Sequence, residues 1–225
     1  MTATPGSPAA AGGALRADAE RNRQRIVAAA RRMFAEHGLE VPMEEIARQA
    51  GVGVGTLYRR YPTRGDLIAA AFEAKMSAYA EAAREALADP DPWRAFCTYV
   101  ERICAMQAGD RGFTMVLTMT FPTARRFEVE RRRAFADFSA LVERAKAAGR
   151  LRADFVAEDL PMFLMANAGV LAATADAAPE TWRRLVGYLL QACAASAAQP
   201  LPDPPTPRQM YRALLQATQH RCDRR

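Results

Sequence analysis

The sequence predicts an all-α protein in which a small helix-turn-helix domain precedes a larger helical domain. Three features of the 225-residue chain support this fold class. Residues 46–67 resemble two short helices joined by a glycine turn, apolar residues elsewhere recur at helical spacing, and two late segments are apolar nearly all round. Half of the residues are apolar, which is enough to form a substantial core.

Composition argues against several other classes of protein. The chain has no apolar run of about 18 residues and no basic-then-apolar start, so we expect neither a membrane span nor a secretory signal. A cytoplasmic protein would keep its four cysteines reduced, and we expect Cys97 and Cys104 to be buried, unreactive thiols. The absence of a CxxC or Cys/His cluster predicts no metal and no cofactor. With only His37 and His220 present, we do not expect an enzyme.

The net charge of +6 is weak evidence for an anionic partner. Residues 205–225 hold five arginines against one aspartate, so most of the positive excess lies at the C-terminus. Charge alone therefore does not establish DNA binding, and the placement of the basic residues has to decide it.

The first predicted elements are a tail and a long helix. Residues 1–15 are mostly Ala, Gly, Pro, Ser and Thr without periodicity, and are expected to be disordered. A helix is predicted from about Asp18 to Glu36, and Gly38 ends it. Its buried stripe consists of residues at helical spacing, namely Ile26, Ala30, Met33, Phe34 and His37.

Residues 46–67, which read IARQAGVGVGTLYRRYPTRGDL, predict the helix-turn-helix. Gly51 supplies the backbone freedom that ends a first short helix, and the apolar side chain of Val52 is expected to pack between the two helices. A second helix begins near Val54 and carries Leu57 inward. Such a second helix is free to enter a major groove, although an ordinary helical hairpin in an all-α core would show the same pattern.

The flanking residues define the neighbouring helices. Pro42 starts the helix before the turn, where its missing N–H costs nothing. After the second helix Pro62 breaks the chain, and Thr63 is placed as an N-cap with Asp66 three residues on. A long helix is then predicted over residues 64–87, where an Asp-Pro-Asp-Pro run stops it.

The remaining chain is predicted to be helical with less specific signals. Helices are expected at about 91–108, 111–120, 123–148, 157–175 and 179–198, and 207–221 could form one more after a proline-rich linker. Segments 160–174 and 185–195 are apolar nearly all round, and a helix of that kind must be covered on every side. The core on one side and a second subunit on the other explain this pattern best.

Residues from about 20 to 72 resemble the DNA-binding domain of TetR-family transcriptional regulators. The segment RIVAAARRMFAEHGLEVPMEEIARQAGVGVGTLYRRYPTRGDLIAAAF carries the resemblance, and GTLYRRYPTRGDL is its most specific part. Pro42-Met43 departs from the family, which often places a capping Thr or Ser there, and Gly65 replaces a common acidic residue. The resemblance implies a DNA-binding domain over 16–66, an effector-binding and dimerisation domain over 67–198, and a linker with a basic tail over 199–225.

The expected DNA contacts follow from the exposed positions of the second helix and from the resemblance. We expect base contacts from Val54, Gly55 and Arg59, and phosphate contacts from Thr56, Tyr58 and Arg64. Arg59 can read a guanine with two hydrogen bonds. Arg21, Arg23 and Arg25 near the start of the first helix could meet phosphates or a minor groove, but a solvated helix face explains them equally well.

The resemblance also implies a homodimer and an effector cavity. Val170 and Leu189 are expected at the dimer interface, and a twofold dimer would place two recognition helices in successive major grooves of a palindromic double-stranded operator. The expected cavity is mostly apolar and suits an uncharged or weakly polar molecule. Its predicted lining is Met115, Met119, Phe138, Phe163 and Asn167. Plain core packing, with Asn167 bonded to a neighbour or within the dimer, is the alternative.

These features predict a homodimeric DNA-binding repressor that a small, largely apolar effector releases. A DNA-binding regulator without an effector, which a protein partner controls or which stays bound, fits the same residues. The residues name neither the operator nor the effector.

Overall fold

The computed structural model describes residues 8–121, 124–197 and 199–222. These residues form ten α-helices: α1 Pro8–His37, α2 Met43–Ala50, α3 Val54–Arg60, α4 Arg64–Leu87, α5 Pro92–Ala108, α6 Arg111–Leu117, α7 Arg125–Ala147, α8 Asp159–Thr174, α9 Thr181–Cys193 and α10 Pro207–Cys222. A short 3₁₀ turn, Ala195–Ala197, follows α9. The predicted all-α fold class is confirmed. No helix in the described ranges is long and apolar enough to cross a membrane.

The start of α1 differs from the prediction. The helix begins at Pro8 rather than at Asp18, so the expectation of a disordered tail over 1–15 is wrong for residues 8–15, while residues 1–7 lie outside the described part. Proline has no N–H to leave unpaired in a first helical turn, and alanine is the strongest helix former. The alanines after Pro8 therefore extend the helix despite two glycines.

Two predicted helices end earlier than expected. The helix α6 ends at Leu117 rather than near residue 120, and α9 ends at Cys193 rather than near 198. The connection between α7 and α8 binds the last carbonyls of α9. The backbone N–H of Arg152 donates to the Cys193 carbonyl (2.9 Å), and its side chain donates to the Ala192 carbonyl (3.1 Å). This satisfies carbonyls that a helix end leaves unpaired, and the chain turns away.

The long helix α4 connects the N-terminal helices to the rest of the fold. Its predicted cap is confirmed, because the Thr63 hydroxyl accepts the Asp66 N–H and the Asp66 carboxylate accepts the Thr63 N–H, each at 3.1 Å. Phe72 of α4 lies between Phe34 of α1 and Phe113 of α6, with centroids 6.1 Å apart on both sides. One continuous core therefore runs from the helix-turn-helix into the larger domain.

Candidate DNA interface and effector cavity

The turn between α2 and α3 requires glycine for two reasons. Gly51 has φ +62° and ψ +40°, a left-handed conformation that favours glycine. Its carbonyl also accepts a hydrogen bond from Arg25 Nη2 of α1 at 2.7 Å, and a Cβ on Gly51 would lie only 2.4 Å from that nitrogen. Arg25 thus fixes α1 against the turn and is not a free cation at the surface.

The recognition helix α3 has one buried and one open face. Leu57 is fully buried and Tyr61, just after the helix, is buried, whereas Val54 and Tyr58 are each 40% exposed. The backbone N–H groups of Thr56 and Leu57 bond to the Gly53 carbonyl, which starts the helix without a side-chain cap. The residues expected to meet DNA bases therefore lie on the face that the core does not cover.

Arg59 and Arg60 supply the cations of this open face. Both side chains are exposed, and neither makes a hydrogen bond or ion pair with any residue that the structure describes. Gly55 lies one turn before Arg59, and a Cβ there would meet nothing within 4 Å. A base edge can therefore approach the backbone at Gly55 while Arg59 reaches it. The sequence analysis did not include Arg60 among the contacts, although the Arg-Arg pair was visible.

Tyr58 is tied to the preceding helix. Its hydroxyl donates to Glu44 Oε1 of α2 at 3.0 Å. This hydrogen bond raises the pKa of Tyr58, and together with the N–H of Glu44 itself it holds the pKa of the Glu44 carboxyl below its usual range. Tyr58 still lies on the open face of α3, but its hydroxyl already donates a hydrogen bond to the Glu44 carboxylate.

Arg64 does not lie free for a phosphate, which corrects its expected role. Its Nη1 donates to the carbonyls of Leu39 and Val41, both at 2.9 Å, and the side chain is half-buried. Those carbonyls belong to the connection between α1 and α2, where no helix supplies donors for them. Arg64 therefore holds this connection against the start of α4.

Arg21 and Arg23, near the middle of α1, are paired within the helix. Arg23 Nε and Nη2 bind the Glu20 carboxylate at 2.7–3.1 Å, which raises the pKa of Arg23, and Arg21 pairs with Asp18. Such exposed pairs one turn apart are weak and can exchange for a phosphate. A DNA contact of Arg23 stays a prediction.

A cavity of about 730 Å³ lies between α6 and α8, and we call it the α6–α8 cavity. Its wall comes from the end of α5, from α6, from α8 and from the connection between α8 and α9. The lining includes Gln107, Thr114, Met115, Thr118, Met165, Ala168 and Leu171. This wall is mostly apolar and carries a few hydrogen-bonding groups, which is typical of small-molecule sites.

Asn167 lies behind the wall of this cavity. Its side chain is fully buried, and its Nδ2 donates to Gln107 Oε1 at 2.8 Å, while Gln107 Nε2 donates to the Leu164 carbonyl at 3.2 Å. Asn167 Oδ1 has no hydrogen-bond partner among the described residues. Asn167 therefore orients the Gln107 amide at the cavity and does not itself line it.

The predicted set of five lining residues needs correction, because only Met115 lines the α6–α8 cavity. Met119 and Phe138 are fully buried, and the Phe138 ring packs on Tyr99 with centroids 5.2 Å apart. Phe163 packs edge-on against Phe155. Helical periodicity identifies buried positions, but it does not distinguish a cavity wall from a packed core.

The helix α6 connects this cavity to the helix-turn-helix. α6 packs against α1, and Met115 lies close to Gly38, the residue after α1, because a Cβ added there would be 3.8 Å from Met115 Sδ. Asp110 caps α6 by accepting the Phe113 N–H at 2.9 Å, and it pairs with Lys75 of α4. A displacement of α6 would therefore change its contacts with both α1 and α4.

The outer face of α8 is apolar and open in the single chain, and the outer face of α9 combines apolar side chains with Arg184 and Gln191. Met162 is 40% and Tyr188 is 56% exposed, and Val170 and Leu189 are half-buried beside them. A Cβ on Gly187 would meet nothing within 4 Å. The two residues expected at a dimer interface thus lie on an accessible apolar surface.

Two family models match this chain. Residues 26–71 match the model of bacterial regulatory proteins of the tetR family, and residues 91–193 match the model of SbtR-like transcriptional regulator C-terminal domains. Together these matches cover the helix-turn-helix and most of the larger domain.

Relatives and solved structures agree with these matches. An HTH-type transcriptional regulator of Staphylococcus aureus (strain USA300) is 46% identical over 54 residues, which is 24% of this chain but only 29% of that protein. A TetR transcription regulatory protein from Mycobacterium vanbaalenii is 31% identical over 80% of this chain and 99% of that one, with a TM-score of 0.47.

Two further structures share the fold at low identity. FadR from Bacillus subtilis in complex with stearoyl-CoA is 16% identical, with a TM-score of 0.58 over 75% of this chain and 96% of that chain. RolR in complex with resorcinol is 20% identical, with a TM-score of 0.54 over 84% and 98% of the two chains.

The contrast between Arg64 and Arg59 gives a testable prediction. Arg64→Met should lower the free energy of unfolding by about 1–3 kcal/mol, because two backbone carbonyls lose a charged donor. The matched control Arg59→Met removes an exposed, unpaired cation and should change stability by less than about 0.5 kcal/mol. Urea unfolding followed by circular dichroism measures both. Equal stability of the two variants would contradict the assignment of Arg64 to the fold.

Proposed function

Because the chain belongs to the tetR family of bacterial regulatory proteins, we propose that it is a homodimeric repressor that a small molecule releases from a palindromic operator. The family makes it a DNA-binding transcriptional regulator. The observation that carries the finer proposal is the position of α6, which lines a large cavity on one side and packs against α1 and α4 on the other.

Operator recognition is assigned to α3. Arg59 is exposed and free of partners in the described chain, so its guanidinium can donate two hydrogen bonds to one guanine. Arg60 is also exposed and makes no hydrogen bond or ion pair in the described chain, but it lies one position further around the helix. We assign Arg60 to the phosphate backbone, which sets affinity more than sequence.

Dimerisation is assigned to the outer faces of α8 and α9. Their exposed apolar side chains and the open space at Gly187 leave room for helices of a second copy. A twofold arrangement would present two copies of α3 about 34–36 Å apart, one helical turn of DNA.

Effector binding is assigned to the α6–α8 cavity. Its volume of about 730 Å³ suits a molecule of drug-like size, and its mostly apolar lining suits an uncharged or weakly polar ligand. FadR and RolR, which share the fold, were solved with different small molecules, so the fold accommodates ligands without indicating which one this chain takes. A ligand that binds one position of α6 better than another would shift the DNA-binding equilibrium.

The first prediction concerns base reading. Arg59→Ala should remove about 1–3 kcal/mol of discrimination at one base pair of each half-site. The control Arg60→Ala should weaken binding to all sequences alike and reduce its salt dependence. Competition binding against a library of single-mismatch operators measures both. Unchanged mismatch penalties in Arg59→Ala would remove the base-reading role.

The second prediction concerns the dimer. Gly187→Arg should convert the dimer into folded monomers, because the protomer has space for the side chain while the interface would bury an unpaired charge. Val170→Arg and Leu189→Arg should also dissociate it. Ala136→Arg, on the exposed face of α7, is the matched control and should remain dimeric. Sedimentation velocity measures the oligomeric state of each variant. If Gly187→Arg remains a dimer, the interface lies elsewhere.

The third prediction concerns the cavity. Ala168→Trp should fill the α6–α8 cavity and abolish the response to ligands found by a thermal-shift screen of metabolites, while operator binding survives. Met119→Trp, the control, overfills a packed position and should cost about 1–3 kcal/mol of stability. If the parent protein responds to no small molecule, or if Ala168→Trp responds normally, a regulator without an effector in this cavity is the better account.

A further inference from the structure

A second cavity lies beneath the C-terminal helix α10, a helix outside the segments that the two family models match, whereas most of the other lining residues lie within 91–193. This α10 cavity has a volume of about 340 Å³. Its wall is mostly apolar and includes Met76 of α4, Phe135 of α7, Leu160 and Leu164 of α8, and Met210 of α10. Its lining shares no residue with the lining of the α6–α8 cavity.

The position of α10 over this cavity is fixed by several contacts. Thr206 and Gln209 form a reciprocal cap at the start of α10, with the Thr206 N–H donating to Gln209 Oε1 at 2.8 Å. The linker before α10 is anchored, because the Leu201 N–H donates to the Asp154 carboxylate at 3.1 Å. Met210 is buried against the body of the protein. These contacts hold α10 in a defined position over the cavity.

Arg131 of α7 is the one cation in the described lining of the α10 cavity. Its side chain is only 18% exposed. Nη2 donates to the Val116 carbonyl at a long 3.3 Å, and Nε is buried without a hydrogen-bond partner in the described chain. Nε forms an ion pair with Glu128, whose Oε2 lies 3.6 Å away, while Glu128 Oε1 accepts the Phe121 N–H at 2.6 Å. Nη1 makes no hydrogen bond with any described residue, so the guanidinium keeps a donor for a ligand.

Two carboxylates and two tyrosine hydroxyls are the other ionisable groups around Arg131. Burial lowers the pKa of Arg131, while Glu128, Tyr79 of α4 and Tyr211 of α10 act in the opposite direction. Tyr79 and Tyr211 line the cavity from opposite sides and can add hydroxyl donors. The remaining ionisable lining group is Glu158, which is half-exposed and so stays hydrated. Because the Glu128 contact is long and involves Nε, a carboxylate can still form two charge-assisted hydrogen bonds with Nη1 and Nη2 of Arg131.

We propose that the α10 cavity binds a small organic monocarboxylate, with its carboxylate on Arg131 and its apolar body among α4, α7, α8 and α10. A guanidinium and a carboxylate match as a planar pair with two parallel hydrogen bonds. The volume suits a medium-chain or single-ring acid. This site is separate from the proposed effector cavity, and its occupancy does not depend on DNA release.

The test compares acids with their uncharged amides. Titration calorimetry on the full-length protein at pH 7 would use octanoate with octanamide, and 3-phenylpropionate with 3-phenylpropionamide. At least one acid should bind about tenfold or more tightly than its amide, because only the acid forms a charge-assisted pair. Arg131→Met should abolish that preference, and Arg131→Lys should retain part of it. The proposal is overturned if neither acid is preferred, or if Arg131→Met keeps the preference.

Two further variants locate the site independently of Arg131. Tyr211→Trp changes a residue that is 51% exposed on α10 and should block the cavity without loss of the fold, so acid binding should fall. Ala168→Trp fills the α6–α8 cavity and should leave acid binding unchanged. Acid binding that Tyr211→Trp spares, or that Ala168→Trp abolishes, would place the acid elsewhere. None of these readouts involves DNA, so the result stands apart from the proposed repressor function.

Discussion

The close approach of α6 to α1 and α4 at Gly112 is the contact on which the rest of the structure depends. A Cβ at this position would lie 2.7 Å from Phe72 Cζ and 3.1 Å from the Phe34 carbonyl oxygen. Because a side chain here would displace the Phe72 ring and crowd the α1 backbone, glycine allows α6 to lie directly on the helix-turn-helix domain. The Lys75–Asp110 pair and the stack of Phe34, Phe72 and Phe113 hold the same junction. Packed junctions of this kind respond as units and do not deform gradually.

The presentation of α3 depends on a second set of contacts. Arg25 holds the turn at Gly51, and Arg64 holds the connection between α1 and α2. Arg25 and Arg64, whose positive charges alone would suggest DNA contacts, therefore hold the backbone of this domain in place. Arg59 and Arg60 have no such partners in the described chain and lie on the exposed face of α3. A change at the α6 junction would therefore move α3 as a part of a rigid body.

The sequence predicted some of these features and missed others for physical reasons. The helix-turn-helix, the cap at Thr63 and most helix bounds follow from local rules of turns, caps and periodicity, and the structure confirms them. The roles of Arg64 and Asn167 depend on partners that are distant in the chain. The carbonyls that bind Arg64 lie 25 and 23 residues away, and Gln107, which binds Asn167, lies 60 residues away. The two cavities lie in gaps between helices that do not pack fully against each other. The apolar pattern of one helix does not predict where such gaps form.

The most direct test of the coupling through α6 is a linkage measurement. An operator selected from genomic fragments and a ligand identified by thermal shift would be titrated separately and together, with fluorescence anisotropy for DNA and calorimetry for the ligand. The account predicts that the ligand weakens operator binding about 5- to 150-fold, and that the operator weakens ligand binding by the same factor. A ligand that occupies the α6–α8 cavity and leaves the operator affinity unchanged would contradict it.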